Sequence, residues 1–200
     1  MGRAGARWMA VLAWLAACVS PSVHAQSAPR GPHTGDRFVN AIRDGFTERV
    51  IADSLDSPVS MALAPDGRVF VCEQPGRLRV IRAGHLLARP FVTVRTQPIE
   101  EEGLLGVAFD PAFARTRRVY VLYTALEPTR HNVIAYYRAA GDTAADEGTI
   151  VYEFDTHAVH QHVGGALRFG RNGMLYASSG ECGDGSLSQS LASTAGKLLR

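Results

Sequence analysis

His162 and Glu181 stand at the two ends of the stretch HVGGALRFGRNGMLYASSGE, with Asn172-Gly173 midway between them. An imidazole and a carboxylate so far apart can react together only if the chain turns back between them. Asn-Gly between two apolar runs is a strong hairpin signal. A turn at Arg171-Asn172, with Gly170 opposite Gly173, predicts that His162 and Glu181 emerge side by side where the two strands end. A carboxylate beside an imidazole fixes its tautomer and raises its basicity, as a general base near neutral pH requires. Gly164 and Gly165 remove side chains from the same corner and leave room for a flat ligand against the backbone. The pattern also fits a channel-lining histidine that is simply satisfied by an acid.

Other titratable groups lie close by in sequence. His157, His160 and His162 cluster before the hairpin, and Glu100, Glu101 and Glu102 form an acidic run before Gly103-Leu104-Leu105-Gly106. His160 and His162 would share one face of a strand. No Cys-x-x-Cys or His-Glu-x-x-His spacing points to zinc, so no residue is assigned as a metal ligand. The glutamate run reads as a solvated loop on the same rim as His162. Lys197, the only lysine of the chain, falls in a closing strand and reads as structural.

These groups need short strands to hold them, and short strands dominate the sequence. FTERVIADS alternates in polarity. VSMALAP meets RVFVCEQ across Asp66-Gly67, and GRLRVIR and PFVTVR follow. The next set is GLLGVAF, RRVYVLYT, NVIAYYR and GTIVYEF, and a third begins with GGALRFG and GMLYASS. Each set opens on a small-residue, Gly-flanked strand and recurs after roughly 50 residues, the period of a four-stranded β-propeller blade. The predicted fold is therefore an all-β propeller with about two and a half blades present. A β-sandwich would also show short strands, but not this restart. Too few blades to close a ring and a final Gly196-Lys197-Leu198-Leu199-Arg200 that reads as a strand suggest the front portion of a longer chain. FTERVIADS would then be the outer strand of the last blade.

Composition limits what the protein can meet. Arg3 and Arg7 precede an apolar run from Trp8 to Val19, then Val23-His24-Ala25, which is a signal-peptide pattern over residues 1–25. Export to the periplasm or medium is expected, with lipidation at Cys18 as the alternative to plain cleavage. Residues 26–45 read as a flexible spacer, and residues 46–200 as the folded domain. The chain has 21 basic and 19 acidic residues. Removing Arg3 and Arg7 with the leader leaves 19 of each, so nothing favours nucleic acid as a partner. No downstream run is long enough to span a membrane. Cys72 and Cys182 are expected to be free rather than paired.

EEGLLGVAFDPAF, RRVYVLYT, HVGGALRFGRNGMLYASSGE and SQSLASTAGKLLR together resemble the soluble pyrroloquinoline-quinone (PQQ)-dependent sugar dehydrogenases, the glucose/sorbosone dehydrogenase family, and within it the aldose sugar dehydrogenase branch. The resemblance runs from about Phe46 to Arg200. It implies a six-bladed propeller with PQQ over the channel mouth, a calcium ion beside it, and a sugar stacked above. The implied reaction oxidises an aldose at C1 to its lactone. His162 matches the base, Glu181 the acid that holds it, and Glu101 a residue near the quinone. Cys182 and Gln161 depart from the family pattern. The quinone's cationic clamps and the calcium ligands are expected in later blades, so these 200 residues alone are not expected to turn over sugar. The electron acceptor is not identified, and a homodimer stays open. The alternative reading is a propeller of the same family without redox chemistry, acting as an extracellular sugar- or protein-binding module.

Overall fold

The computed structural model of the chain describes residue 45 and residues 47–156 and 159–200. The chain divides into Met1–Glu48 and Arg49–Arg200. All the described strands belong to the second unit. The expected leader and spacer, apart from Gly45, lie outside the described residues, as does His157.

Three antiparallel sheets follow one another along the chain. The first holds β1 (Pro58–Leu63), β2 (Val69–Glu73) and β3 (Arg77–Arg82), edged by the short β4 (His85–Leu86) and β5 (Val92–Thr93). The second holds β6 (Leu104–Phe109), β7 (Arg118–Ala125), β8 (His131–Ala140) and β10 (Thr149–Thr156), with β9 (Thr143–Ala144) added to β8. The third holds β11 (Gly164–Phe169), β12 (Leu175–Ser179) and β13 (Lys197–Leu199). These are the expected propeller blades, two complete in their four strand positions and one with three, and they do not close a ring. The outer edge of the first blade is broken because Pro90 has no N–H to give. Phe91 N–H and Leu87 N–H carry the ladder past it to Leu78 and Val80.

Blades pack face to face through two apolar layers. Phe70, Leu78, Val80 and Phe91 of the first blade meet Leu104, Val107, Phe113 and Val121 of the second. Phe70, Phe91, Phe109 and Phe113 chain edge to face, with ring centroids 5.0 to 5.2 Å apart. Leu122, Ile134 and Phe154 of the second blade pack on Leu167 and Ala177 of the third. The inner strand β6 runs between β1 and β11. Its approach to β11 is at backbone distance, since a Cβ on Gly106 would collide with the carbonyl oxygen of Gly165.

One irregularity recurs in all three inner strands. Pro58 faces Glu73 but Ser60 faces Cys72; Leu104 faces Tyr123 but Gly106 faces Leu122; Gly164 faces Ser179 but Leu167 faces Ala177. Each inner strand thus carries one extra residue near its start. A bulge at that place bends the strand and re-aims the chain entering it, and all three lie at the rim where β11 begins beside His162.

Two expectations need correction. Residues 47–54 of FTERVIADS form no strand, and Val50 and Ile51 are exposed. Alternating polarity suits a strand, but among the described residues no strand pairs with this segment. The turn of the third blade is also longer than expected. Gly170 N–H donates to Met174 O and Gly173 N–H to Gly170 O, leaving Arg171, Asn172 and Gly173 in the loop.

Candidate active site

The longer turn displaces the register by one residue, and the β11 bulge displaces it back. Past the bulge Gly164 faces Ser179, so the chain ends that leave the hairpin lie as the sequence predicts. His162 Nδ1 hydrogen-bonds Glu181 Oε1. The backbone closes on itself here: Cys182 N–H donates to His162 O at 3.2 Å, and a Cβ on Gly180 would overlap that carbonyl. Cys182 itself is buried, and burial pushes its thiol up to about 11, so it offers no thiolate to the site.

His162 keeps 58% of its side-chain surface in solvent and Glu181 keeps 24%. The hydrogen bond with Glu181, its charge, and the more distant charge of Glu101 hold the imidazole's pKa above the ordinary histidine value. The same bond holds the Glu181 carboxyl below its ordinary value. An ionised carboxylate can only accept, so Nδ1 must carry the proton and donate to it. Nε2 is then left with its lone pair as the basic atom of the ring.

The glutamate run is more than a solvated loop. Glu100 is exposed, but Glu101 accepts the His162 backbone N–H at Oε2, 2.7 Å away. Glu102 is completely buried, and His160 Nδ1 donates to its Oε2 at 3.0 Å. Arg130 lies against His160 Nε2 at 3.1 Å. His160 and His162 therefore serve different carboxylates and do not face one metal. No strand forms at these two residues, because their backbone bends into β11. Among the described residues, no three His, Cys, Asp or Glu side chains converge on a metal-sized site. The tie from His160 to Glu102 spans 58 positions, and nothing local in the sequence signals it.

Gly164 and Gly165 sit beside His162, and the chain itself explains both. Their φ values are +80° and +128°, a range that favours glycine. A Cβ on Gly164 would come within 2.7 Å of Ser178 O, and one on Gly165 within 2.7 Å of Leu105 Cβ. Backbone packing thus requires glycine at both positions, whatever ligand the rim takes. Lys197 donates to the carbonyls of Leu187, Ser188 and Ala195 at 2.7 to 3.1 Å, the structural role expected of it. Cys72 and Cys182 are both free.

Comparison with known proteins gives this rim a setting. The family model described as Glucose / Sorbosone dehydrogenase matches residues 55–200. The chain is 29% identical over 157 residues to aldose sugar dehydrogenase YliI of Escherichia coli, covering 76% of this chain and 42% of that protein. Among solved structures, an oxidoreductase (glucose dehydrogenase) of Thermus thermophilus superposes with a TM-score of 0.71 at 33% identity, over 76% of this chain and 46% of that one. The PQQ-bound form of the aldose sugar dehydrogenase of Streptomyces coelicolor gives 0.66 at 30% identity, over 76% and 46%. The chain spans about two-fifths of the length of the curated relatives it matches.

Proposed function

The chain belongs to the glucose/sorbosone dehydrogenase family, and from that membership we propose that the whole protein oxidises an aldose at C1 to its lactone, with His162 as the general base. The observation that carries this reading is the ring geometry of His162. One nitrogen is fixed by Glu181, while more than half of the side-chain surface stays in solvent. Nε2 would take the proton of the C1 hydroxyl as the C1–H bond gives up its electron pair as hydride and the C1–O bond becomes the lactone carbonyl. Glu181 stabilises the imidazolium that results and keeps the ring from turning.

PQQ, which the Streptomyces relative binds, would supply the two-electron acceptor when bound. This quinone is a tricarboxylate and needs cations. Arg77 is already engaged by Glu73 and Asp56, and Arg130 by His160, while Glu181 and Glu101 face His162 and Glu102 takes the His160 ring. The described residues fit the proton acceptor but do not by themselves fit the seat of the quinone or of calcium. The part proposed for Glu101 beside the quinone rests on family resemblance, and that of Gly164 and Gly165 on the side chains they remove beside His162.

Export is proposed with this function, on the Arg3, Arg7 and Trp8–Val19 leader pattern. Among the described residues no helix is long and apolar enough to cross a membrane. The test is aldose-dependent dye reduction by the whole protein given PQQ and calcium. Lactone formed in step with the dye supports the assignment. Sugar binding without dye reduction would replace it with the binding-module reading.

A further inference from the structure

The imidazole of His162 is aimed by a backbone that would not adopt its conformation unaided. Its φ is +55°, in the left-handed region, which costs a non-glycine residue on the order of 1–3 kcal/mol. Such strain persists only where the surroundings over-determine it, and the surroundings here come from the second blade. Glu101 Oε2 accepts the His162 N–H, and the Glu101 N–H donates to His160 O at 3.2 Å. One residue further, Glu102 reaches the His160 ring. On the other side of His162, Asn132 Nδ2 donates to Val163 O at 2.7 Å. Asn132 is fully buried, and its Oδ1 accepts from Thr124 Oγ1 at 3.0 Å. Thr124 in turn exchanges bonds with Gly103, its N–H donating to Gly103 O at 2.9 Å. Residues 101–103 therefore grip the chain around His162 directly through Glu101 and Glu102, and indirectly through Thr124 and Asn132.

We propose that Glu102, with His160 as its donor, is a positioning residue: together with Asn132 it locks residues 160–163 onto the second blade and so sets the aim of the His162 ring at Glu181. Glu102 touches no reacting atom in this scheme. A carboxylate whose side chain is 1% exposed is expensive to bury unless its bonds secure something. Here they secure the segment that carries the base.

The proposal rests on the assignment of His162 as the base only for its kinetic consequence, and the test separates the two. The probe is the histidine ring itself, followed by NMR titration of the whole protein with labelled histidine and with His162→Ala to identify the signal. The charged groups facing that ring are Glu181 and Glu101. In the unaltered protein the ring should titrate above the ordinary value of about 6.5. Glu102→Gln should bring the midpoint down toward 6.5 and slow kcat by on the order of tenfold with little change in KM. His160→Ala should do the same, whereas His160→Gln, whose amide can still donate to Glu102, should restore the parent titration. If the unaltered protein oxidises no sugar, the proposed reaction falls while the titration still decides the positioning. Should Glu102→Gln fail to fold, the two His160 variants decide alone. An unchanged His162 titration in a folded His160→Ala protein would overturn the proposal.

Discussion

If His162 is the base proposed here, its protonation sets the pH range in which this rim acts. A base must be neutral, and the Glu181 hydrogen bond and charge raise the pH at which His162 becomes so. The acid limb of kcat/KM should therefore lie above the ordinary histidine value. Glu181→Gln should move that limb to lower pH and reduce the plateau rate, because the amide neither raises the ring's basicity nor fixes its tautomer as firmly; a pH–rate profile reads both. The stability effect has a definite sign. The raised histidine contributes stability that is complete below its unfolded value and lost as pH rises through the raised one. The lowered Glu181 contributes stability present above its unfolded value and lost as pH falls through the lowered one. The difference in Tm between the parent and Glu181→Gln should thus be largest between the lowered Glu181 value and the raised His162 value. Thermal denaturation across pH checks this.

At the scale of strands, the close approach of β6 and β11 makes a sharp demand. Gly106→Ala would press a methyl into the Gly165 carbonyl and should cost about 1–3 kcal/mol, seen as a lower Tm. Glu73, fully buried, ties Arg77 and Arg79 to the Asp56 N–H. Glu73→Ala leaves the largely buried Arg79 without its counter-charge, while Arg77 keeps Asp56, and should cost about 3 kcal/mol in denaturant unfolding. Much of this was legible in the sequence. Turn residues flanked by alternating runs located the inner strands and their partners, and the two catalytic candidates met as the hairpin argument requires. The bulge was not legible, because it lies beside the approach of Gly106 to Gly165 between neighbouring blades, which depends on the fold; the turn length was not, because Asn-Gly fits a three-residue loop as well as a two-residue one. The burial of Glu102 was hidden for the same reason. Three glutamates in a row look solvated until a histidine from another blade covers one of them. Residues 47–54 of FTERVIADS alternate without forming a strand, since alternation reports a strand's polarity and the blade expected to pair with it is not among the described residues.

Across the whole molecule, apolar surface collects at the two open ends of the blade stack. Val59, Met61 and Leu63 of β1 lie 50 to 71% exposed on one outer face, and Leu198 of β13 is 74% exposed at the other end. Unpartnered apolar sheet faces of this kind drive association. The 200 residues expressed alone should self-associate and bind a hydrophobic dye. Met61→Glu with Leu63→Glu should reduce both in sedimentation and fluorescence without altering the His162 titration. The candidate site sits inside this arrangement: the proposed base His162 and its partner Glu181 flank the third-blade hairpin, and Glu101, Glu102 and Asn132 hold them from the second. The claim that joins the scales is that His162 removes the substrate proton. It is tested most directly by stopped-flow reduction of bound PQQ by an aldose in the whole protein, comparing the parent with His162→Ala. The variant should bind PQQ as the parent does and reduce it about 10²–10⁴-fold more slowly. Equal rates at equal occupancy would contradict the role given to His162.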